Sequence, residues 1–204
     1  MIAIVDYGVG NLYSLRSSFG EIGAEAVVTG DSAVLREAGK IVLPGVGAFG
    51  DAIGKLRQTG LDRALLQEAQ RGKDLLGICL GMQLLFEESF EYGEHQGLGL
   101  LQGKVTGMEG RISSELKIPH IGWNALHFYK KSHLLSGIQE GDWVYFVHSY
   151  SAVGCEDSLV ATAEYGEEIT AMVQKDNVMG CQFHPEKSGT VGLAILKAFC
   201  EGER

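Results

Sequence analysis

The sequence predicts an α/β protein: a mostly parallel, twisted central sheet flanked by helices, with a smaller antiparallel sheet added to it. Three observations carry this. Short apolar runs alternate with helically spaced segments through the first part of the chain. From Lys104 onward, closely spaced strand-like segments take over, separated by turns. The 29 glycines far outnumber the 3 prolines, as short elements joined by tight turns require.

The elements follow in order. Ile2–Val5 is an apolar run short enough to be a buried strand. Residues 11–22 carry Leu12, Leu15, Phe19 and Ile22 at helical spacing, and Gly23 ends the run. Residues 26–28 and 40–43 are further short strands, Leu61–Gln70 is a helix stopped by Gly72, 74–78 is a strand and 80–88 a helix. Such alternation implies parallel pairing with right-handed helical crossovers. Then Val105, Ile118, 123–128, 144–147, 159–163, 169–173 and Val178–Cys181 read as strands. Tyr165-Gly166-Glu167 and Asp176-Asn177 fit hairpin turns, and 189–200 is a closing helix. With no repeat, low-complexity tract or linker, residues 1–204 read as one domain.

Composition excludes several classes. Hydrophobic residues at 45% and charged residues at 21% are ordinary for a globular protein. A net charge of -9 argues against a binder of nucleic-acid backbones, which needs clustered Lys and Arg. No basic segment leads into an apolar run, and no stretch approaches the ~18 apolar residues of a membrane span, so a cytoplasmic protein is expected. Cys79, Cys155, Cys181 and Cys200 are scattered without metal-type pairing. They read as thiols in a reducing compartment, and neither a metal nor a cofactor is expected.

The strongest local signal is Gly77-Ile78-Cys79-Leu80-Gly81. It fits a sharp strand-to-helix turn whose central nucleophile projects above the carboxyl edge of the sheet. The following helix would point its positive end at Cys79 and favour a thiolate. A buried structural cysteine at a strand end is the alternative. A cysteine nucleophile needs a base and an orienter for that base. Gln182-Phe183-His184-Pro185-Glu186 supplies both, since extended geometry puts His184 and Glu186 on one side of the chain. Alone, His184 would be a loop histidine and Glu186 a solvated charge; the cysteine elbow reverses both readings.

The elbow Gly-Ile-Cys-Leu-Gly-Met-Gln at 77–83 together with His184-Pro185-Glu186 resembles the class I (triad) glutamine amidotransferases. Asp6-Tyr7-Gly8-Val9-Gly10-Asn11, Pro44-Gly45-Val46-Gly47, Pro119-His120-Ile121-Gly122-Trp123-Asn124, His148-Ser149-Tyr150 and Lys187-Ser188 narrow the likeness. Over nearly the whole chain it is similar to the branch that serves as glutaminase subunits of imidazole glycerol phosphate synthases. The resemblance implies that Cys79 attacks the glutamine amide, His184 moves the protons and Glu186 orients His184. The Leu80 amide and the Val46-Gly47 peptide would form the oxyanion hole, the peptide after a rotation that Gly47 makes easy. Gln83, one helical turn after Cys79, would hold the substrate, together with Gly45, His148, Ser149, Tyr150 and Glu91. A cyclase subunit with a (β/α)₈ barrel would complete a heterodimer, with Asn11, Trp123 and Lys187 near the docking face. The bland readings of those three are a helix cap, a core aromatic and a solvated charge. His120, His127 and His133 read as structural or surface residues. A glutaminase subunit of pyridoxal phosphate or anthranilate synthase, a stand-alone cysteine amidase or peptidase, and a non-catalytic scaffold are the alternatives; Lys187, the Tyr-Gly-x-Gly-Asn segment and the intact triad favour the first reading.

Overall fold

The computed structural model describes residues 1–202. β1 (Ile2–Val5) leads to α1 (Leu12–Glu21), β2 (Ala26–Thr29), α2 (Ser32–Glu37), β3 (Lys40–Gly45), α3 (Phe49–Thr59), α4 (Leu61–Gln70) and β4 (Asp74–Cys79). A single helical turn, α5 (Leu80–Gln83), opens the next stretch: β5 (Phe86–Ser89), β6 (His95–Gln96), β7 (Leu101–Gly107), β8 (His120–Ala125) and β9 (His127–Phe128). Then come β10 (Trp143–His148), β11 (Tyr150–Val153), β12 (Leu159–Glu164), β13 (Glu168–Lys175), β14 (Val178–Cys181) and α6 (Gly189–Glu201).

The large sheet has eight strands in the order β2-β1-β3-β4-β14-β13-β12-β9. Strands β2 to β14 of that order run parallel, and the hairpin partners beyond β14 run antiparallel. The predicted α/β class with a mostly parallel central sheet is therefore what the chain adopts. A four-stranded sheet (β11-β7-β5-β6) and a two-stranded antiparallel ribbon (β10-β8) stand beside it. The late strands β12 and β13 thus extend the large sheet, whereas the expectation put them in the small one.

Both faces of the sheet are covered, which is why its inner strands read as unbroken apolar runs. Along β1, Ala3 and Val5 face Leu56 of α3 and Leu65 of α4. Ile2 and Ile4 face the other way, toward Leu15 and Phe19 of α1 and Ile195, Leu196 and Phe199 of α6. Phe19 and Phe199 are wholly buried; truncating either to Ala would cost about 3–5 kcal/mol.

Several boundaries differ from expectation for identifiable reasons. The elbow helix expected over 80–88 stops at Gln83, and Phe86–Ser89 is a strand. Phe86 and Ser89 are buried while Glu87 is exposed, and the segment gains a ladder with β7. Asn11 caps α1 instead of lying within it. Helix α3 went unread because Gly50 and Gly54 look like turns, although Phe49, Ala52, Ile53 and Leu56 are buried at helical spacing. The hairpin turns at 165–167 and 176–177 join β12 to β13 and β13 to β14 as expected. Among the described residues, no helix is long and apolar enough to cross a membrane.

Candidate active site

Three neighbouring strand ends build the site. In the order β3-β4-β14, Gly45 pairs with Cys79 and Cys181 pairs with Ile78. The carboxyl edge therefore sets the loop after β3, the cysteine at the end of β4, and His184, three residues past β14, side by side. Cys79 has φ 55°, which is strained for a residue with a side chain. The turn closes because Gly77 and Gly81 leave room. A Cβ on Gly77 would come within 2.7 Å of Met82 and the Gly81 carbonyl, and one on Gly81 would run into the Leu43 carbonyl. Since α5 is one turn long, its dipole is weaker than the longer helix would have provided.

His184 and Glu186 meet as the extended spacing implied: Nδ1 lies 2.8 Å from Oε1, and both side chains are buried. Burial alone would lower the imidazole pKa. The hydrogen bond to Cys79, then that to Glu186, outweigh it and push His184 up to about 10. The second carboxylate oxygen of Glu186 is buried without a partner. Its negative charge is thus compensated chiefly by the His184 ring.

The cleft over Cys79 has a volume of about 350 Å³, at the small end of ligand-binding cavities (roughly 300–1,000 Å³). Val46, Gly47 and Leu80 line it on one side, and Gln83, Glu91, His148, Ser149 and Tyr150 on the other. Gly47 sits at φ 95° with open space around it, so the backbone there meets no side-chain obstruction. Gly45 lies beneath, packed so closely on Gly81 N, 2.8 Å from a notional Cβ, that only glycine fits. Gln83 is buried, not exposed; its Nε2 donates to the Tyr150 carbonyl at 3.1 Å and to Gln182 Oε1 at 2.9 Å. Burial pushes His148 down to about 3 despite the Tyr150 carbonyl on Nδ1, with His120 and His184 nearby adding to the drop. Its Nε2 lies 3.0 Å from His120 Nδ1. With both nitrogens engaged, His148 offers a ligand its ring edge and backbone. Among the described residues no group of three or more His, Cys, Asp or Glu is placed to hold a metal.

A family model for class-I glutamine amidotransferases matches residues 3–201. The chain belongs to that family. Imidazole glycerol phosphate synthase subunit HisH of Oceanobacillus iheyensis is 48% identical over 202 residues, covering 98% of each chain. The protein of that name from Bacillus velezensis is 51% identical over 202 residues, 98% of this chain and 95% of that one. The one from Aquifex aeolicus is 49% identical over 198 residues, 96% of this chain and 94% of that one. Among solved structures, a glutamine amidotransferase superposes with a TM-score of 0.77 at 19% identity, covering 98% of each chain. PurLQS from Thermotoga maritima gives 0.73 at 22% identity, over 98% of this chain and 96% of that one. These two establish the fold alone.

In this class-I amidotransferase, three further residues around the site had been read only as parts of motifs or as structural residues. Gln182 Nε2 reaches to 3.8 Å from Cys79 Sγ; it lies two residues before His184, and that period-two spacing was the available signal. Tyr7 donates to the Pro44 carbonyl at 2.8 Å and supports the loop from below. Burial, then Cys79, hold its phenol well above the ordinary range, so it stays a neutral donor. His120, read as structural or surface, is fully buried and backs His148. His127, by contrast, is a surface partner of Glu140 at 3.1 Å.

The three residues expected near a docking face fare differently. Trp123 is 46% exposed, so it is no core aromatic, and its ring meets Tyr145 at 6.0 Å. Lys187 lies over the other partner of that pair, 5.6 Å from the Tyr145 ring centre, and also lines the cleft. Asn11 accepts from Ser14 N at 3.4 Å, the helix-cap role of the bland reading, and does not line the cleft.

Proposed function

We propose that this amidotransferase is the glutaminase subunit of an imidazole glycerol phosphate synthase, a single-domain cytoplasmic protein that works with a (β/α)₈ cyclase. The observation that carries the catalytic assignment is Cys79, held at φ 55° beside the buried His184–Glu186 pair. Cys79 Sγ attacks the glutamine side-chain carbonyl carbon. The resulting oxyanion is received by the Leu80 and Gly47 N–H groups. The C–N bond breaks, ammonia leaves with a proton from His184, and a thioester remains. Water, giving its proton to His184, attacks the thioester; the C–S bond breaks and glutamate departs.

Ammonia released into open water at neutral pH is protonated and stops being a nucleophile. It therefore passes to the cyclase, which joins it to a nucleotide-derived substrate. Imidazole glycerol phosphate and an aminoimidazole carboxamide ribonucleotide result. The outer face of the β8–β10 ribbon fits docking beside the site. Ile121, Trp123 and Trp143 are exposed there, next to Tyr145 and Lys187, an apolar cluster that a monomer surface rarely leaves uncovered. The test is reconstitution with the cyclase subunit. Cys79→Ala should abolish glutamine-dependent synthesis and leave ammonia-dependent synthesis nearly intact; ordinary glutamine hydrolysis by Cys79→Ala would defeat the assignment.

A further inference from the structure

Glu91 touches two parts of the site at once. Its side chain is buried and lines the cleft. Its Oε2 accepts the Phe49 N–H at 2.6 Å. Phe49 is the first residue of α3, whose N-cap, Ala48, has no side-chain acceptor. A helix start leaves its first N–H groups unpaired and carries partial positive charge. Glu91 thus supplies, from the far end of the β5–β6 hairpin, the side-chain acceptor that Ala48 cannot, beside the acidic Asp51 already in the first turn of α3. Phe49 is only two residues past Gly47, so whatever holds Phe49 also holds the base of the Val46-Gly47 peptide.

The same hairpin braces α3 near both of its ends. A Cβ on Gly50 would lie 2.6 Å from the His95 ring, which also sits 6.2 Å from the Phe49 ring. Arg57 of α3 donates to the Gln96 carbonyl at 2.8 Å. Meanwhile Glu91 Oε1 has no hydrogen-bond partner among the described residues, leaving one carboxylate oxygen for the cleft.

We propose that Glu91 is a positioning residue for the oxyanion loop, clamping the start of α3 through one oxygen while the other receives the substrate's α-ammonium. Recognition of the amino end and placement of the oxyanion donor then share one carboxylate. The inference rests on the glutaminase reading and adds a second, separable task to Glu91.

Steady-state glutamine hydrolysis in the complex with the partner subunit separates the tasks. Glu91→Gln keeps an acceptor for Phe49 N–H but loses the charge. Its KM should rise roughly ten- to a hundredfold, with kcat within a fewfold of wild type. Glu91→Ala should show the same rise in KM and also lose about tenfold in kcat, the scale of a missing cap. Adding Ala48→Ser to Glu91→Ala gives the start of α3 an acceptor for the Gly50 or Asp51 N–H, and should restore part of kcat without restoring KM. Equal kcat in the Gln and Ala variants overturns the clamp, as does a folded Ala48→Ser/Glu91→Ala double variant with no recovery. Should Glu91→Ala fail to fold, Glu91→Gln decides alone, and a kcat loss matching its KM rise overturns the clamp. Wild-type complex that hydrolyses no glutamine would instead sink the glutaminase reading itself.

Discussion

Replacing Glu186 by Ala isolates the orienter from the base. The substitution removes a 2.8 Å hydrogen bond between two side chains that are each only 4% exposed. Solvent screens such a pair little, so a charge-assisted bond here is worth about 1.5–3 kcal/mol. At ~1.4 kcal/mol per tenfold, kcat/KM should fall about ten- to a hundredfold. His184→Ala removes the proton carrier itself and should cost more, about 10²–10⁴. The pH profile gives an independent check. The imidazolium persists below about 10 and is lost as pH rises through that value, so the alkaline limb of wild-type kcat/KM should lie there. Glu186 is one of the two groups that raise His184, Cys79 being the other. Without it the limb should move to lower pH by about 1–2 units. Measuring kcat/KM against pH for wild type and both variants tests both claims. A larger loss in Glu186→Ala than in His184→Ala, or an unmoved alkaline limb, would refute the orienter assignment.

Three further outcomes are expected. An electrophilic glutamine analogue should label Cys79 alone, as peptide mass mapping would read; burial raises the thiols of Cys155, Cys181 and Cys200, the last to about 11. Lys187→Ala should reduce stimulation by the partner several-fold and leave KM for glutamine nearly unchanged, with equal turnover in free and bound chains counting against any activation. Gly81→Ala should destabilise the fold by at least the ~1–3 kcal/mol of an overpacked core, because the new Cβ meets the Leu43 carbonyl; an unaltered melting temperature would show that the elbow has slack.

The parts of this chain that were legible are those where local chemistry and fold agree. The Gly77–Gly81 turn announces itself because only glycine tolerates the approach of strand β3. His184 and Glu186 do so because period-two spacing is a local rule. The central strands were readable because burial on both faces leaves unbroken apolar runs. What was hidden depends on contacts across the chain. Nothing near Glu91 reveals that its carboxylate caps a helix 42 residues earlier. Gln83 could be placed one helical turn after Cys79, but nothing local shows that it is buried against Gln182, 99 residues away. Phe86–Ser89 looked helical until β7 provided a ladder.

His184 is held by its backbone as well as by its ring, and the tie runs to the outer ribbon. His184 N–H donates to the Tyr145 carbonyl at 2.9 Å. Ser188 Oγ accepts the Tyr145 N–H at 3.0 Å and donates to the His184 carbonyl at 2.7 Å. Both backbone groups of Tyr145 are thus committed to the segment that carries the base, while its ring faces Trp123 and Lys187 on the outer face. On the proposed reading, a partner docked there presses on the strand whose register places the imidazole. Misplacement by about 1 Å can cost a hundredfold in rate, so a small movement of β10 is sufficient for control. Coupling of this kind needs no relay through the core. It needs only that the partner bind one placement of β10 better than another.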